Sequence, residues 1–278
     1  MTPRELLRAL AAEMTAAGVP DADVDASLLL SHVTGQNPLN LRLDSWSQIS
    51  PADESAFRAL CERRKARTPL QYLTGVQSFL GRDFHVDERV LIPRPETELL
   101  AERAIATLRG ITNPVALDLC CGSGCLAVSM ALGAPGTQVH AADLSEGALA
   151  VTGMNADRLG AKVTVHRGDL FAALPEALRF DVIVSNPPYI PARDCLALQE
   201  EVRREPMMAL DGGKDGYDFY RRIAAQAPCR LRPGGVLLME VGFDQAPGVM
   251  TLCREAGFAF VTAHKDYQHI LRMVEARM

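Results

Sequence analysis

From about residue 110 onward, short apolar runs alternate with stretches of helical periodicity. The apolar runs are "VALDL", "VHAAD", "VTVH", "FDVIVS", "GVLLMEV" and "FAFVTAH", and the helical stretches are "GCLAVSMAL", "SEGALAVTGMNADRL", "YDFYRRIAAQA" and "APGVMTLCREA". This alternation is typical of β-α-β units, so it predicts an α/β domain whose parallel sheet is covered by helices on both faces. A last run, "YQHILRMVEA", is a candidate for one more strand.

The first 75 residues have a helical pattern instead. A cap residue precedes proline at Thr2-Pro3 and again at Ser50-Pro51, which is a common way for a helix to begin. In "SFLGRDFHV" a glycine separates two short β-prone runs, which predicts a hairpin. We therefore predict a helical bundle over residues 1–75, a hairpin linker over 76–95, and the α/β domain over 96–278.

Composition excludes several classes of protein. The 278 residues carry a net charge of −5, which disfavours a broad nucleic-acid-binding face because such a face is positive. The run "RRKAR" over 63–67 is either a solvated helix face or a local basic patch. The seven scattered cysteines form no CxxC pair, so neither a disulfide framework nor a metal site is predicted. No apolar run is long enough for a membrane span and no secretory signal is present, which indicates a cytoplasmic protein.

A nucleotide-type site is predicted where the first strand of the α/β domain ends. "VALDL" leads into "CCGSGCLA", where Gly122 and Gly124 allow a tight turn and a close approach to a ligand. Asp143 ends the next strand, where its carboxylate can accept hydrogen bonds from both ribose hydroxyls. Together these features predict an adenosine-containing ligand. Gly122, Gly124 and Ala127 also satisfy the G-x-G-x-x-A pattern, so a nicotinamide-dependent dehydrogenase is an alternative.

Asp118, inside the end of the first strand, has two interpretations. A carboxylate placed before the glycine loop suits a cationic or amine-bearing ligand better than a pyrophosphate. The same residue could instead cap the following turn.

The stretch "SNPPYI" carries the predicted chemistry. Pro187 restricts Asn186 to an extended conformation, and the two prolines remove two N–H donors. The remaining acceptors, the Asn186 side-chain oxygen and the Pro187 carbonyl, can hold both hydrogens of a planar –NH2 group, and Tyr189 offers a flat wall. These two hydrogen bonds would direct the nitrogen of the –NH2 group toward the sulfonium methyl of S-adenosylmethionine. The alternative is a proline-rich turn with no catalytic role.

Five segments together resemble a known family. "LIPRPETELL", "LDLCCGSGCLA", "AADLSEGALAV", "SNPPYI" and "EPMMALDGGKDGYDFYRRI" are similar to the HemK/PrmC class of protein-glutamine methyltransferases. The resemblance implies a seven-stranded, Rossmann-like class I methyltransferase domain and an N-terminal helical domain that docks the substrate. The implied reaction moves a methyl group from S-adenosylmethionine, leaving S-adenosylhomocysteine. The implied acceptor is the N5 side-chain nitrogen of the glutamine in the Gly-Gly-Gln motif of class I peptide chain release factors.

The resemblance also assigns site residues. The implied cofactor-binding residues are Asp118, Cys120, Cys121, Gly122, Ser123, Gly124, Asp143, Asp169, Leu170 and Asn186. The implied residues around the substrate amide are Asn186, Pro187, Pro188 and Tyr189, of which Asn186, Pro187 and Tyr189 are expected to be catalytic. The chain departs from the family at two positions, because Cys120 stands where glycine is usual and Leu170 where an aromatic residue is common.

Other functions remain open on the sequence. The same chemistry would serve a glutamine in a ribosomal protein, or N6-adenine methylation of nucleic acid, although the net charge disfavours a direct nucleic-acid substrate. A binding protein that retained the fold without catalysis is a further possibility.

Overall fold

The computed structural model describes residues 2–37, 40 and 48–278. Their contacts divide the chain into two compact units. One comprises Met1–Val76 together with Gln199–Arg204, and the other comprises Gln77–Leu198 together with Glu205–Met278.

The N-terminal unit is helical, as predicted. Its helices are α1 (Pro3–Ala16), α2 (Ala22–Thr34), α3 (Pro51–Lys65) and α4 (Leu70–Thr74). Thr2 caps α1 in a capping box and Ser50 caps α3, which confirms both predicted helix starts. An apolar cluster with Leu10, Leu29 and Phe57 at its centre holds the helices together.

The basic run over 63–67, which begins in the last turn of α3, is not a solvated face throughout. Arg64 is only 5% exposed, and its guanidinium contacts Asp25 at 2.7 Å and Glu201 at 2.9 Å. Arg67 contacts the same Glu201 at 2.6 Å. Acidic partners inside the N-terminal unit therefore neutralise these two arginines, while Arg63 stays exposed.

The second unit contains the α/β domain. Its elements in chain order are the hairpin β1 (Val76–Phe79) and β2 (Arg82–His85), then α5 (Pro95–Leu108), β3 (Val115–Leu119), α6 (Cys125–Gly133), β4 (Gln138–Asp143), α7 (Glu146–Leu159), β5 (Val163–Arg167), β6 (Phe180–Ser185), α8 (Asp218–Gln226), β7 (Leu231–Glu240), α9 (Ala246–Glu255), β8 (Phe260–Lys265) and β9 (Leu271–Arg277). The predicted hairpin is confirmed. Asn155 holds it against the α/β domain, accepting from the His85 N–H at 2.7 Å and donating to the His85 carbonyl.

The large sheet has seven strands in the order β5-β4-β3-β6-β7-β9-β8. The five strands from β5 to β7 pair in parallel, but β9 is antiparallel to both of its neighbours. The prediction of a parallel sheet therefore holds for the five strands from β5 to β7 and fails at β9. Only a short turn separates β8 from β9, and a parallel pair needs a crossover of a dozen or more residues.

Two apolar layers cover the faces of the sheet. One packs α5 and α6 against it with Phe79 and Phe84 of the hairpin, and the other packs α8 and α9. In the sheet register Leu119 pairs with Ala142 on one side and Ser185 on the other. The loops that follow β3, β4 and β6 therefore leave the sheet at the same edge, where the sequence placed the site.

Candidate active site

The loop after β3 is shaped by two glycines in the left-handed region, Gly122 at φ +53° and Gly124 at φ +77°. A Cβ on Gly124 would lie 2.7 Å from Cγ2 of Thr152, so this position requires glycine. Asp143 fixes the loop from the neighbouring strand: its carboxylate accepts the Gly122 N–H at 3.0 Å and the Ser145 N–H at 2.9 Å. The predicted pairing of a glycine loop with the carboxylate at the end of β4 is thus present.

Both departures from the family pattern fall at unusual backbone angles. Cys120 has φ +60° and Leu170 has φ +51°, a region that L residues with a Cβ occupy at a cost. Glycine at position 120 would adopt this angle freely. Burial raises the pKa of the Cys120 thiol well above its usual range, so the thiol stays protonated and is a poor nucleophile.

Asp118 is fully buried. One carboxylate oxygen accepts the N–H of Ala127 in the first turn of α6 at 2.9 Å, which is the capping contact that the sequence left open as an alternative. The other oxygen has no hydrogen-bond partner among the residues that the structure describes. Burial raises the pKa of Asp118 to about 8.

A cavity of about 390 Å³ opens at this edge of the sheet. Of the predicted site residues, those lining it are Cys120, Cys121, Gly122, Ser123, Asp143, Asp169, Leu170, Asn186 and Pro188. Within the described part of the chain, the other predicted residues lie outside this lining, namely Asp118, Gly124, Pro187 and Tyr189. The structure therefore brings most of the predicted cofactor and substrate residues around one space.

The "NPPY" segment leaves β6 directly into this cavity. Asn186 lines it, and its side-chain nitrogen donates to the Thr97 hydroxyl at 3.3 Å. Pro187 is buried. The Tyr189 hydroxyl donates to Glu240 at 3.4 Å, and burial raises the pKa of this phenol. The Tyr189 ring is thus directed toward a buried carboxylate at the end of β7, a partner that the sequence did not indicate.

The loop before α8 packs closely against the backbone of "NPPY". A Cβ on Gly212 would approach the Cα of Tyr189 to 2.6 Å, and one on Gly216 would approach the Tyr189 carbonyl oxygen to 2.4 Å. Gln245 donates to that same carbonyl at 2.9 Å. The glycines of "DGGKDG" belong to the family pattern, and this close backbone approach accounts for two of them.

The "PRPETE" segment contributes three separate contacts. Arg94 contacts Glu205 at 2.6 Å, Thr97 donates to Glu240 at 2.6 Å, and Glu98 accepts the N–H of Leu80 at 2.7 Å. The motif was visible in the sequence, but the partners of its side chains are far away along the chain. Sequence reasoning therefore missed Thr97 as a residue of the site.

Two further residues missed from the sequence lie at the Asp169–Leu170 end of the cavity. Arg222 on α8 contacts Asp169 at 2.5 Å, and its guanidinium lies 6.0 Å from the centre of the Phe219 ring. Both Phe219 and Arg222 line the cavity. This cavity therefore receives an aromatic side chain from a helix rather than from position 170.

Two family models and a set of curated relatives match this chain. Residues 5–75 match the PrmC N-terminal domain, and residues 96–205 match the methyltransferase small domain. A release factor glutamine methyltransferase of Bordetella pertussis is 45% identical over 90% of this chain and 93% of its own length. The chain belongs to the release factor glutamine methyltransferase family. A release factor glutamine methyltransferase of Geobacter sulfurreducens is 44% identical over 94% of this chain and 91% of its own length.

The family membership confirms the resemblance seen in the sequence and rules out the dehydrogenase alternative. Among solved structures, a T. thermophilus 16S rRNA N2 G1207 methyltransferase superposes with a TM-score of 0.54 at 23% identity, covering 73% of this chain and 49% of that one. This likeness shows the shared fold and confirms the predicted methyltransferase architecture. No helix within residues 2–37 and 48–278 is long and apolar enough to cross a membrane.

Proposed function

We propose that this protein transfers a methyl group from S-adenosylmethionine to the N5 side-chain nitrogen of the glutamine in the Gly-Gly-Gln motif of class I peptide chain release factors. Family membership supports a protein-glutamine methyltransferase acting on a release factor. The observation that carries the acceptor chemistry is the Asn186 side chain. It lines the cavity, and its nitrogen is engaged by Thr97, so its oxygen is available to a donor.

The residues around the cavity fit the cofactor. Gly122 lines it, and a Cβ there would meet no protein atom within 4 Å, so the loop presents bare backbone to the cavity. The carboxylate of Asp143 can accept ribose hydroxyls, and Asp169 and Leu170 would lie beside the adenine. Cys120 to Gly124 would hold the methionine part. When bound, S-adenosylmethionine supplies a methyl group made electrophilic by its sulfonium.

The protein's own contribution is to hold the acceptor. An amide –NH2 has two hydrogens and a delocalised lone pair, so it is a weak nucleophile. The Asn186 side-chain oxygen and the Pro187 carbonyl accept one hydrogen each, which fixes the direction of the nitrogen and stabilises positive charge as it develops. Pro187 and Pro188 lack N–H donors, so neither proline competes for those acceptors.

We further propose that the N-terminal helical unit docks the release factor and that the enzyme acts in the cytoplasm. The match of residues 5–75 to the PrmC N-terminal domain supports a role specific to this family.

A labelled-methyl assay with a purified release factor tests the proposal. The intact factor should be labelled, and a factor whose Gly-Gly-Gln glutamine is replaced should not. Equal labelling of the two would refute the glutamine as acceptor. Asn186→Ala should abolish transfer while calorimetry shows cofactor affinity nearly unchanged. A ribosomal protein and an oligonucleotide serve as competing acceptors in the same assay.

A further inference from the structure

A buried hydrogen-bonded chain lies directly behind Asn186. Glu240 ends β7, beside β6 in the sheet, and is 3% exposed; Thr97, in the first turn of α5, is 2% exposed. The Thr97 hydroxyl donates to one Glu240 oxygen at 2.6 Å and accepts from the Asn186 side-chain nitrogen at 3.3 Å. The other Glu240 oxygen accepts from the Tyr189 hydroxyl at 3.4 Å. Three elements distant in sequence therefore converge on one carboxylate.

The chain of bonds has a defined polarity. An ionised carboxylate only accepts hydrogen bonds, and a hydroxyl has a single hydrogen to give. Once Thr97 gives its hydrogen to Glu240, its oxygen can only accept from Asn186. The Asn186 nitrogen must then face Thr97, and its carbonyl oxygen must face away. Turning the amide over would place two oxygens in contact with no hydrogen between them.

We propose that Thr97 and Glu240 are positioning residues that hold the Asn186 amide with its oxygen facing the substrate nitrogen. The inference rests on the proposed function, because it matters only if the acceptor is an amide. A glutamine –NH2 offers only donors, so a reversed Asn186 would present donors to donors. The Glu240 carboxylate thus determines, through the Thr97 hydroxyl, whether the Asn186 oxygen can accept a hydrogen bond from the substrate –NH2 group.

Protonation of Glu240 would remove this polarity, because a protonated carboxyl can donate to Thr97 and free the hydroxyl hydrogen to face Asn186. Burial raises the pKa of Glu240 to about 7. The titratable and charged groups that face Glu240 are Glu96 on α5, Arg272 on β9, Tyr220 on α8, Cys125 on α6 and Tyr189 in the loop after β6. Of these, Glu96 raises the pKa and Arg272 lowers it. Turnover should therefore fall as the pH drops through about 7.

Three variants of the full-length enzyme test the inference with release factor and S-adenosylmethionine. Thr97→Val keeps the shape but removes the hydroxyl, and Thr97→Ser restores the hydroxyl. Thr107→Val, on the same helix, removes a hydroxyl that donates to the Arg103 carbonyl and is the matched control. Thr97→Val should lower kcat by roughly ten- to a hundredfold, with little change in KM or in calorimetric affinity for S-adenosylhomocysteine. Thr97→Ser should recover most of kcat, and Thr107→Val should match the wild type.

Glu240→Gln supplies an independent readout. A glutamine amide does not titrate, so the fall in kcat below about pH 7 should disappear. An unchanged acidic fall in Glu240→Gln, a fully active Thr97→Val, or a Thr97→Val that loses cofactor affinity would each overturn the positioning role. A wild-type enzyme that fails to methylate the release factor would instead overturn the proposed function, and this inference with it.

Discussion

The two glycines of the cofactor loop should respond differently to the same substitution. Both have positive φ, but their surroundings differ. A Cβ on Gly124 would lie 2.7 Å from Cγ2 and 3.1 Å from Cα of Thr152, whereas one on Gly122 would meet no protein atom within 4 Å. Gly122 lines the cavity and Gly124 does not. We therefore expect Gly124→Ala to destabilise the fold and Gly122→Ala to impair cofactor binding.

The magnitudes follow from these distances. The left-handed angle costs an alanine about 1–2 kcal/mol at either position. Gly124→Ala adds an overpacking cost of about 1–3 kcal/mol. Rotating the Thr152 side chain does not remove it, because the Thr152 Cα belongs to the backbone of α7. The difference between the two variants in free energy of unfolding should therefore be about 1–3 kcal/mol, with Gly124→Ala the less stable.

Urea unfolding of the cofactor-free protein, followed by circular dichroism, measures this difference, and calorimetry with S-adenosylhomocysteine measures binding. Gly122→Ala should lose roughly tenfold or more in affinity, since its methyl group occupies cavity space. Thr152→Ala, made alone and with Gly124→Ala, should show favourable coupling between positions 124 and 152. Equal destabilisation by the two glycine variants, or normal binding by Gly122→Ala, would refute this picture of the loop.

Three further predictions concern ionisable side chains. Asp143→Asn leaves one acceptor where the loop uses two, so calorimetry should show cofactor affinity lowered by roughly tenfold or more; unchanged affinity would contradict this. Burial raises the pKa of Asp118 to about 8, so between about pH 4 and pH 8 the folded protein keeps a proton that the unfolded chain releases. In urea unfolding the stability of the wild type relative to Asp118→Asn should therefore fall as the pH rises through that window, and a constant difference would refute the assignment. Arg64→Ala leaves the buried carboxylate of Asp25 without its arginine, while Glu201 keeps Arg67, and should cost about 3–5 kcal/mol. Arg63 is exposed, so Arg63→Ala should change the free energy of unfolding by less than about 0.5 kcal/mol. Equal shifts in melting temperature for the two arginine variants would contradict the burial of Arg64.

Much of the fold follows from sequence pattern because the pattern is local. Apolar runs of strand length, helical repeats and cap residues such as Thr2 and Ser50 predicted elements that the structure contains. The position of β9 between β7 and β8 did not follow, because strand order depends on packing between distant segments. The same limit applies to Arg64, whose partners Asp25 and Glu201 lie far away in sequence.

The residues of the site likewise divide into those that the local sequence pattern predicts and those that depend on distant contacts. Gly122, Asp143 and Asn186 were predicted at one sheet edge because each follows directly from the end of a parallel strand, and the structure brings them together. Thr97 and Glu240 could not be found from the sequence, since nothing in the local pattern shows that a buried threonine is hydrogen-bonded to a strand-end glutamate. Asp118 shows the converse difficulty. Its position beside the glycine loop suggested a ligand, yet its carboxylate accepts a hydrogen bond from a helix N–H.

The most direct test of the central claim is tandem mass spectrometry of a release factor incubated with the enzyme and methyl-labelled S-adenosylmethionine. The account predicts one added methyl group, on the side-chain nitrogen of the Gly-Gly-Gln glutamine, and none with Asn186→Ala. A label on any other residue, or undiminished labelling by Asn186→Ala, would contradict it.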